Sequence, residues 1–162
     1  MTDKHAAHER VVARLAAQKD EVRRLCMDLD EATISKRAVA GKWSVKELLA
    51  HVARVQEVFE QRLEAMLREE GAPIASYEPE RDAGFADIAS RPAADLWKWF
   101  EDARGRILGR LEKLSPAEWH RKGRHPEYPS YDVHFAMEYL AHHEAHHMYQ
   151  MFQRRPPGGV PH

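Results

Sequence analysis

Residues 131–154, YDVHFAMEYLAHHEAHHMYQMFQR, contain no glycine or proline, and the chain then breaks at Pro156-Pro157-Gly158-Gly159. With Ser130 or Asp132 placed to accept from an orphan N–H at its start, this stretch predicts one long helix. At about 100° per residue, Val133, Met137, Leu140, Ala141, Met148 and Met151 fall within about 80° either side of one direction. A stripe of that width needs other helices to cover it, and the rest of the chain supplies them.

Working back towards the N-terminus, the polar stretch HRKGRHPEYPS (residues 120–130) precedes this helix. Before that, Ser115-Pro116-Ala117-Glu118 forms a capping box and predicts a short helical turn around Trp119. Pro92, in a first-turn position, opens another long helix whose apolar stripe is Leu96, Phe100, Ala103, Ile107, Leu111 and Leu114. Gly105 and Gly109 lie on its opposite side at up to about 1 kcal/mol each relative to alanine, and close approach by another element would account for them. Residues 72–91, APIASYEPERDAGFADIASR, read as a long loop packed over one end of a bundle.

A capping box at Ser44-Val45-Lys46-Glu47 starts a helix running to about Glu70, with Leu48, Val52, Val55, Phe59, Leu63 and Met66 on one face and Gly71 as its stop. Thr2 to Leu29 forms the first helix, with Val11, Leu15, Val22, Leu25, Cys26 and Leu29 in one stripe. The expected fold class is therefore all-α: one four-helix bundle domain over residues 1–155, a long connection between its second and third helices, and a flexible tail at 156–162.

Composition limits what such a bundle does. The 162 residues carry 25 Lys+Arg against 26 Asp+Glu, a formal charge of −1, so no electrostatic footprint for nucleic acid is present. Neither an apolar leader nor a run of about 18 uncharged apolar residues occurs, which disfavours secretion and membrane insertion. A single cysteine, Cys26, excludes a disulfide framework and suggests a reducing compartment, with the cytoplasm as the default. Cys26 also lies in an apolar stripe and reads as a small core residue. Trp97, Trp99 and Trp119 read as packing residues.

The unusual feature is 11 histidines. His142-His143-Glu144-Ala145-His146-His147 offers two i, i+4 pairs, each able to grip one metal ion from adjacent turns. His143 and His147 lie at the edge of the apolar sector, whereas His142 and His146 point away from it. On the second helix His51 borders the apolar stripe beside Val55 and Val58, so the candidate metal ligands are His51, His143 and His147. Three ligands leave coordination positions open, which is the catalytic arrangement. Solvated or carbonyl-capping histidines are the plain alternative. His5, His8 and His162, near the termini, read as surface residues, and His120, His125 and His134 flank the entrance to the last helix. Tyr77, Glu78, His125 and Glu127 either line the open side of the site or are surface turn residues.

The order and spacing of these segments resemble the DinB-like superfamily of metal-binding four-helix proteins, and within it the YfiT-like group. The resemblance covers nearly the whole chain. It rests on Lys42-Trp43-Ser44-Val45-Lys46-Glu47 leading to His51, on Ser76-Tyr77-Glu78, on Leu111 to Trp119 ahead of His125-Pro126-Glu127, and on Tyr139 through His147. It implies a divalent metal, commonly nickel or zinc, on His51, His143 and His147, frequent homodimers, and small-molecule substrates. Two activity classes are implied: metal-dependent hydrolases, and transferases that join a low-molecular-weight thiol such as bacillithiol or mycothiol to an electrophile. The chain departs from common family patterns at Val52-Ala53-Arg54, where Leu-x-Asp is more usual, and at Met148-Tyr149-Gln150, where Arg-Gly-Gln is frequent.

Three neutral imidazoles leave the double positive charge of a divalent ion intact, so its open position favours hydroxide or thiolate, and either nucleophile is compatible. His143-Glu144-Ala145-His146-His147 also matches H-E-x-x-H, the zincin protease signature, which makes Glu144 a candidate catalytic base. No Asp or Glu follows His147 to complete a zincin site, and Glu144 is equally a candidate partner for an arginine. A non-catalytic, stress-related bundle with a structural metal is the remaining alternative. Phe135, Tyr139 and Tyr149, off the main apolar sector, suggest a second packing surface.

Overall fold

Ser44 starts its helix as the spacing predicts: its hydroxyl accepts from the Glu47 N–H at 3.1 Å while the Glu47 carboxylate accepts from the Ser44 N–H at 3.0 Å. A computed structural model describes residues 2–155, so the expected tail at 156–162, with His162, lies outside the described residues. Four long helices make the bundle: α1 (Thr2–Cys26), α3 (Val45–Arg68), α5 (Ala93–Leu111) and α7 (Val133–Arg154). Between them lie α2 (Glu31–Ser35), α4 (Phe85–Ala89) and α6 (Pro116–Trp119). Helix α3 packs on α5 and α7, and α1 on α7 and α5, so the order around the bundle is α1, α7, α3, α5. Among the described residues no helix is long and apolar enough to cross a membrane.

Local chemistry explains where the elements depart from expectation. The first helix stops at Cys26 and not Leu29, because Asp30 accepts from the Thr33 N–H at 2.7 Å and caps α2, which buries Ile34. Gly71, at φ +76°, ends the turn after α3 and donates its N–H to the Lys122 carbonyl at 2.8 Å. That bond leads into a short parallel pair, β1 (Ala72–Pro73) with β2 (Gly123–Arg124). A Cβ at Gly123 would come within 2.8 Å of Ile74 Cγ1 and 3.1 Å of the Met66 side chain, so any other residue there would force these two side chains to shift.

The long connection between α3 and α5 is more ordered than its composition suggests, containing a 3-10 turn at Pro79–Arg81 and then α4. Pro92 sits one residue before α5, and Asp132, not Ser130, caps α7 by accepting from the Phe135 N–H at 2.7 Å. Close approach does not account for Gly105 or Gly109, since a Cβ at either would meet nothing within 4 Å.

Two expectations about single residues are corrected. His8 is not on the surface but 7 % exposed, stacked on Trp119 with ring centroids 4.5 Å apart and Nδ1 2.9 Å from His134 Nδ1. The reason is α6, which brings Trp119 back against α1. Burial and the neighbouring His134 and His120 push its pKa down to about 4. Phe135 is partly buried against the core with Tyr128 5.2 Å from its ring, so it is not part of a free surface, whereas Tyr139, though Tyr128 lies 5.8 Å from its ring, stays exposed as expected. Tyr149 and Phe152 are exposed as well. Cys26 is fully buried as expected, and burial pushes its thiol up to about 12.

The apolar core is divided in two by a polar layer. One half gathers Leu15, Val55, Phe59, Ile107 and Leu140, and the other Val22, Leu48, Val52, Phe100 and Met151. Between them, Arg104 of α5 is fully buried and donates to Gln56 Oε1 of α3 at 3.0 Å, to the Leu15 carbonyl of α1 at 2.6 Å and to the Glu144 carboxylate of α7. Gln56 Nε2 donates to the same Glu144 oxygen at 3.2 Å. One guanidinium thus touches all four long helices. Burial raises the Glu144 carboxyl above its ordinary value, opposed by Arg104 and Gln56, which donate to the ionised form. Removing one partner strands the other charge in the core, so Glu144→Leu is expected to lower unfolding free energy by about 3–5 kcal/mol in denaturant titrations. The double variant Arg104→Met/Glu144→Leu should regain most of that loss; a double variant as unstable as the single one would show that the pair is not what the layer depends on.

Candidate metal centre

His51 stands about two turns inside the capped start of α3, and His143 and His147 stand one turn apart on the face of α7 that meets it. His51 is 3 % exposed and the other two are half-buried. Their Nε2 atoms converge: His51 to His143 is 3.4 Å and His147 to His143 is 3.2 Å. Ligand atoms of all three lie within 4.8 Å of one another, and among the described residues this is the group of His, Cys, Asp and Glu that could hold a metal ion. His142 and His146 are exposed on the other side of α7, as the helical wheel predicts.

Donor chemistry decides whether a cation fits. Gln150 Oε1, which only accepts, is 2.8 Å from His147 Nδ1, so the proton of that ring sits on Nδ1 and the Nε2 lone pair faces the other rings. A neutral imidazole has one N–H, so the central His143 Nε2 can donate to one neighbour at most and lone-pair repulsion remains. A single cation satisfies all three at once. Two nitrogens bound at about 2.0–2.1 Å in a tetrahedral arrangement stand about 3.3 Å apart, which matches the observed spacings.

Electrostatics point the same way. Burial, then the nearby His147 and His143, push the His51 pKa down to about 3; burial and the neighbouring His147 and His146 bring His143 to about 4. His147 is also lowered, chiefly by burial. All three are neutral at pH 7, as metal ligands must be. Among the described residues the buried Nδ1 atoms of His51 and His143 have no protein partner, and Gln150 is the one residue holding a remote ring nitrogen of the trio.

The long connection, with Trp43 from the turn before α3, roofs the site. Trp43 and Phe85 approach the His51 ring at 5.2 Å and 6.4 Å, and Tyr77 lies parallel to it at 6.4 Å. Tyr77 Oη and Arg54 Nε both donate to Asp82, at 2.9 Å and 3.0 Å, which clamps the connection onto α3. Beside His143 opens a cleft of about 80 Å³, and Tyr77, Glu78, His125 and Glu127 all line it. Glu144, the candidate base, accepts from Arg104 and Gln56 in the core and is not one of the three converging groups.

Sequence reading missed Arg104, Gln56, Gln150 and Arg62, the last of which also lines the cleft. Arg104 lies about 40° from Phe100 and Gln56 about 40° from Val52 on their helices, so both sit within apolar stripes. A polar residue there, with Glu144 in the apolar sector of α7, was the available signal.

Similarity to known proteins follows this geometry. A family model described as the DinB superfamily matches residues 9–151. YfiT from Bacillus subtilis, a probable metal-dependent hydrolase with an unusual four-helix bundle topology, superposes with a TM-score of 0.80 at 16 % identity, over 90 % of this chain and 84 % of that one. The mycothiol-dependent maleylpyruvate isomerase superposes with a TM-score of 0.75 at 15 % identity, over 92 % of this chain and 64 % of the isomerase. At such identities these likenesses are of fold. A search of curated proteins returns no match.

Purified protein is expected to hold close to one equivalent of a divalent ion by elemental analysis, with His51→Ala, His143→Ala and His147→Ala each losing most of it and His142→Ala and His146→Ala keeping it. Gln150→Ala should weaken metal affinity by about 10–100-fold. Full metal retention in all three ligand variants would refute the centre.

Proposed function

Because the chain belongs to the DinB superfamily, we propose that it is a metal-dependent enzyme acting on a small molecule, with His51, His143 and His147 holding one nickel or zinc ion. The observation that carries this reading is the convergence of three neutral Nε2 atoms at 3.2 Å and 3.4 Å beside an open cleft. A divalent cation held by three uncharged ligands lowers the pKa of a water or thiol brought to it, giving a nucleophile for hydrolysis or for S-transfer to an electrophile.

The protein's own residues do the rest. Gln150 fixes the tautomer of His147, and the clamp of Arg54, Asp82 and Tyr77 keeps the connection closed over His51. Burial raises the Tyr77 hydroxyl, with Asp82 adding to the effect, so it stays protonated and keeps donating. In this reading Glu144 is a positioning residue: it sets the rotation of α7 and does not touch the substrate. Cys26, buried against Met151, takes no part in thiol chemistry. The nucleophilic thiol of the S-transferase reading is thus a separate low-molecular-weight cosubstrate. The homodimer implied by the resemblance belongs to the same proposal, with exposed Tyr149 and Phe152 as the aromatic pair on α7 open to a second copy.

The dividing experiment offers metal-loaded protein an electrophile, monochlorobimane, with a panel of low-molecular-weight thiols, and in parallel a panel of simple esters and amides. Metal-dependent turnover in one panel is expected, falling to the metal-free level in His51→Ala. Turnover in neither, with a melting temperature that drops steeply on chelation, would replace the enzyme reading with a structural metal.

A further inference from the structure

The cleft beside His143 contains one arginine, Arg62 of α3. Its guanidinium donates from Nη2 to the Ala75 carbonyl at 2.7 Å and from Nη1 to the Tyr131 hydroxyl at 3.3 Å, and it stands 4.8 Å over the Phe59 ring. These contacts fix the plane of the fork, yet every acceptor is uncharged. No carboxylate lies within 4.0 Å of Arg62 among the described residues. This contrasts with the neighbouring Arg54, Arg106 and Arg110, which pair with Asp82, Glu60 and Glu64. The two acids that line the cleft are exposed to solvent and neither reaches Arg62: Glu78 pairs with Arg81 at 3.0 Å, and Glu127 accepts from the Ser76 hydroxyl at 3.5 Å.

A guanidinium has five donors in a rigid fork that matches a carboxylate bidentately. Held flat, half-buried and without a counter-ion, Arg62 has both the charge and the spare donors for that match. The cleft, of about 80 Å³ and open on one side, has room for a carboxylate and the carbon that bears it. Tyr77, Tyr128 and Tyr139 form walls on which a flat or unsaturated body can pack as it leaves the cleft.

We propose that this cleft selects substrates bearing a carboxylate, with Arg62 as the specificity-determining counter-ion and the reacting group presented to the three-histidine centre. The proposal rests on the reading of that centre given above, since His143 belongs to both.

The test uses 4-fluorophenylacetate and its neutral amide as probes, followed by fluorine NMR line broadening on the full chain with and without metal. The acid is expected to bind about ten-fold or more tightly than the amide, the scale of a charge-assisted pair. Arg62→Met should abolish the difference and Arg62→Lys should keep part of it, with melting temperature as the check on folding. Equal binding of acid and amide, unchanged acid binding in Arg62→Met, or no acid binding at millimolar concentration would each overturn the proposal. Metal content, measured on the same samples, separates the two readings. Wild type without metal removes the centre, whereas full metal with no preference for the acid removes the carboxylate site alone.

Discussion

A charge in the middle of the core sets the rotation of α7. Glu144 turns inward because Arg104 is fixed there by Leu15 and Gln56, and a buried guanidinium needs a carboxylate. Once Glu144 faces the bundle axis, helical geometry assigns every histidine near it. His143 and His147 lie about 100° and 60° round on one flank, toward α3, while His142 and His146 fall about 160° away on the back. Two histidine pairs with identical spacing thereby acquire different environments. The ion pair contributes no ligand, yet it decides which pair meets His51.

The same desolvation acts on the two polar features in opposite ways. In the core layer, charge persists because donor and acceptor are matched across four helices, with Arg104 using three of its nitrogens. At the edge no carboxylate among the described residues offsets the three imidazoles, so burial, helped by neighbouring rings, holds them neutral. Three lone pairs facing one another make this the candidate site for a cation. The connection between α3 and α5 completes it with Phe85 and Tyr77, which roof His51 together with Trp43 from the turn before α3, and the small cleft beside His143 leaves one side open.

Most of the bundle was legible because its signals are local. Both capping boxes, the Gly71 stop and the apolar stripes each depend on residues within a turn or two of one another. The three candidate histidines were legible for a related reason: facing on a helix follows from neighbours in sequence. What stayed hidden depends on contacts between distant segments. His8 is buried because Trp119 and His134, far along the chain, pack onto it, and Phe135 is partly covered by Tyr128 from the stretch before α7. The short β1–β2 pair joins segments about fifty residues apart and has no periodicity to betray it. Arg104 and Gln56 were visible as polar residues in apolar stripes, but their meeting with Glu144 needed the order of the helices around the bundle.

The most direct measurement on the centre is the X-ray absorption fine structure of the metal in protein loaded with one equivalent of nickel or zinc. Three imidazole nitrogens at about 2.0–2.1 Å, completed by light oxygen or nitrogen scatterers and with no sulfur, are the expected shell. A sulfur scatterer, or a shell with fewer than two imidazoles, would contradict a centre built from His51, His143 and His147.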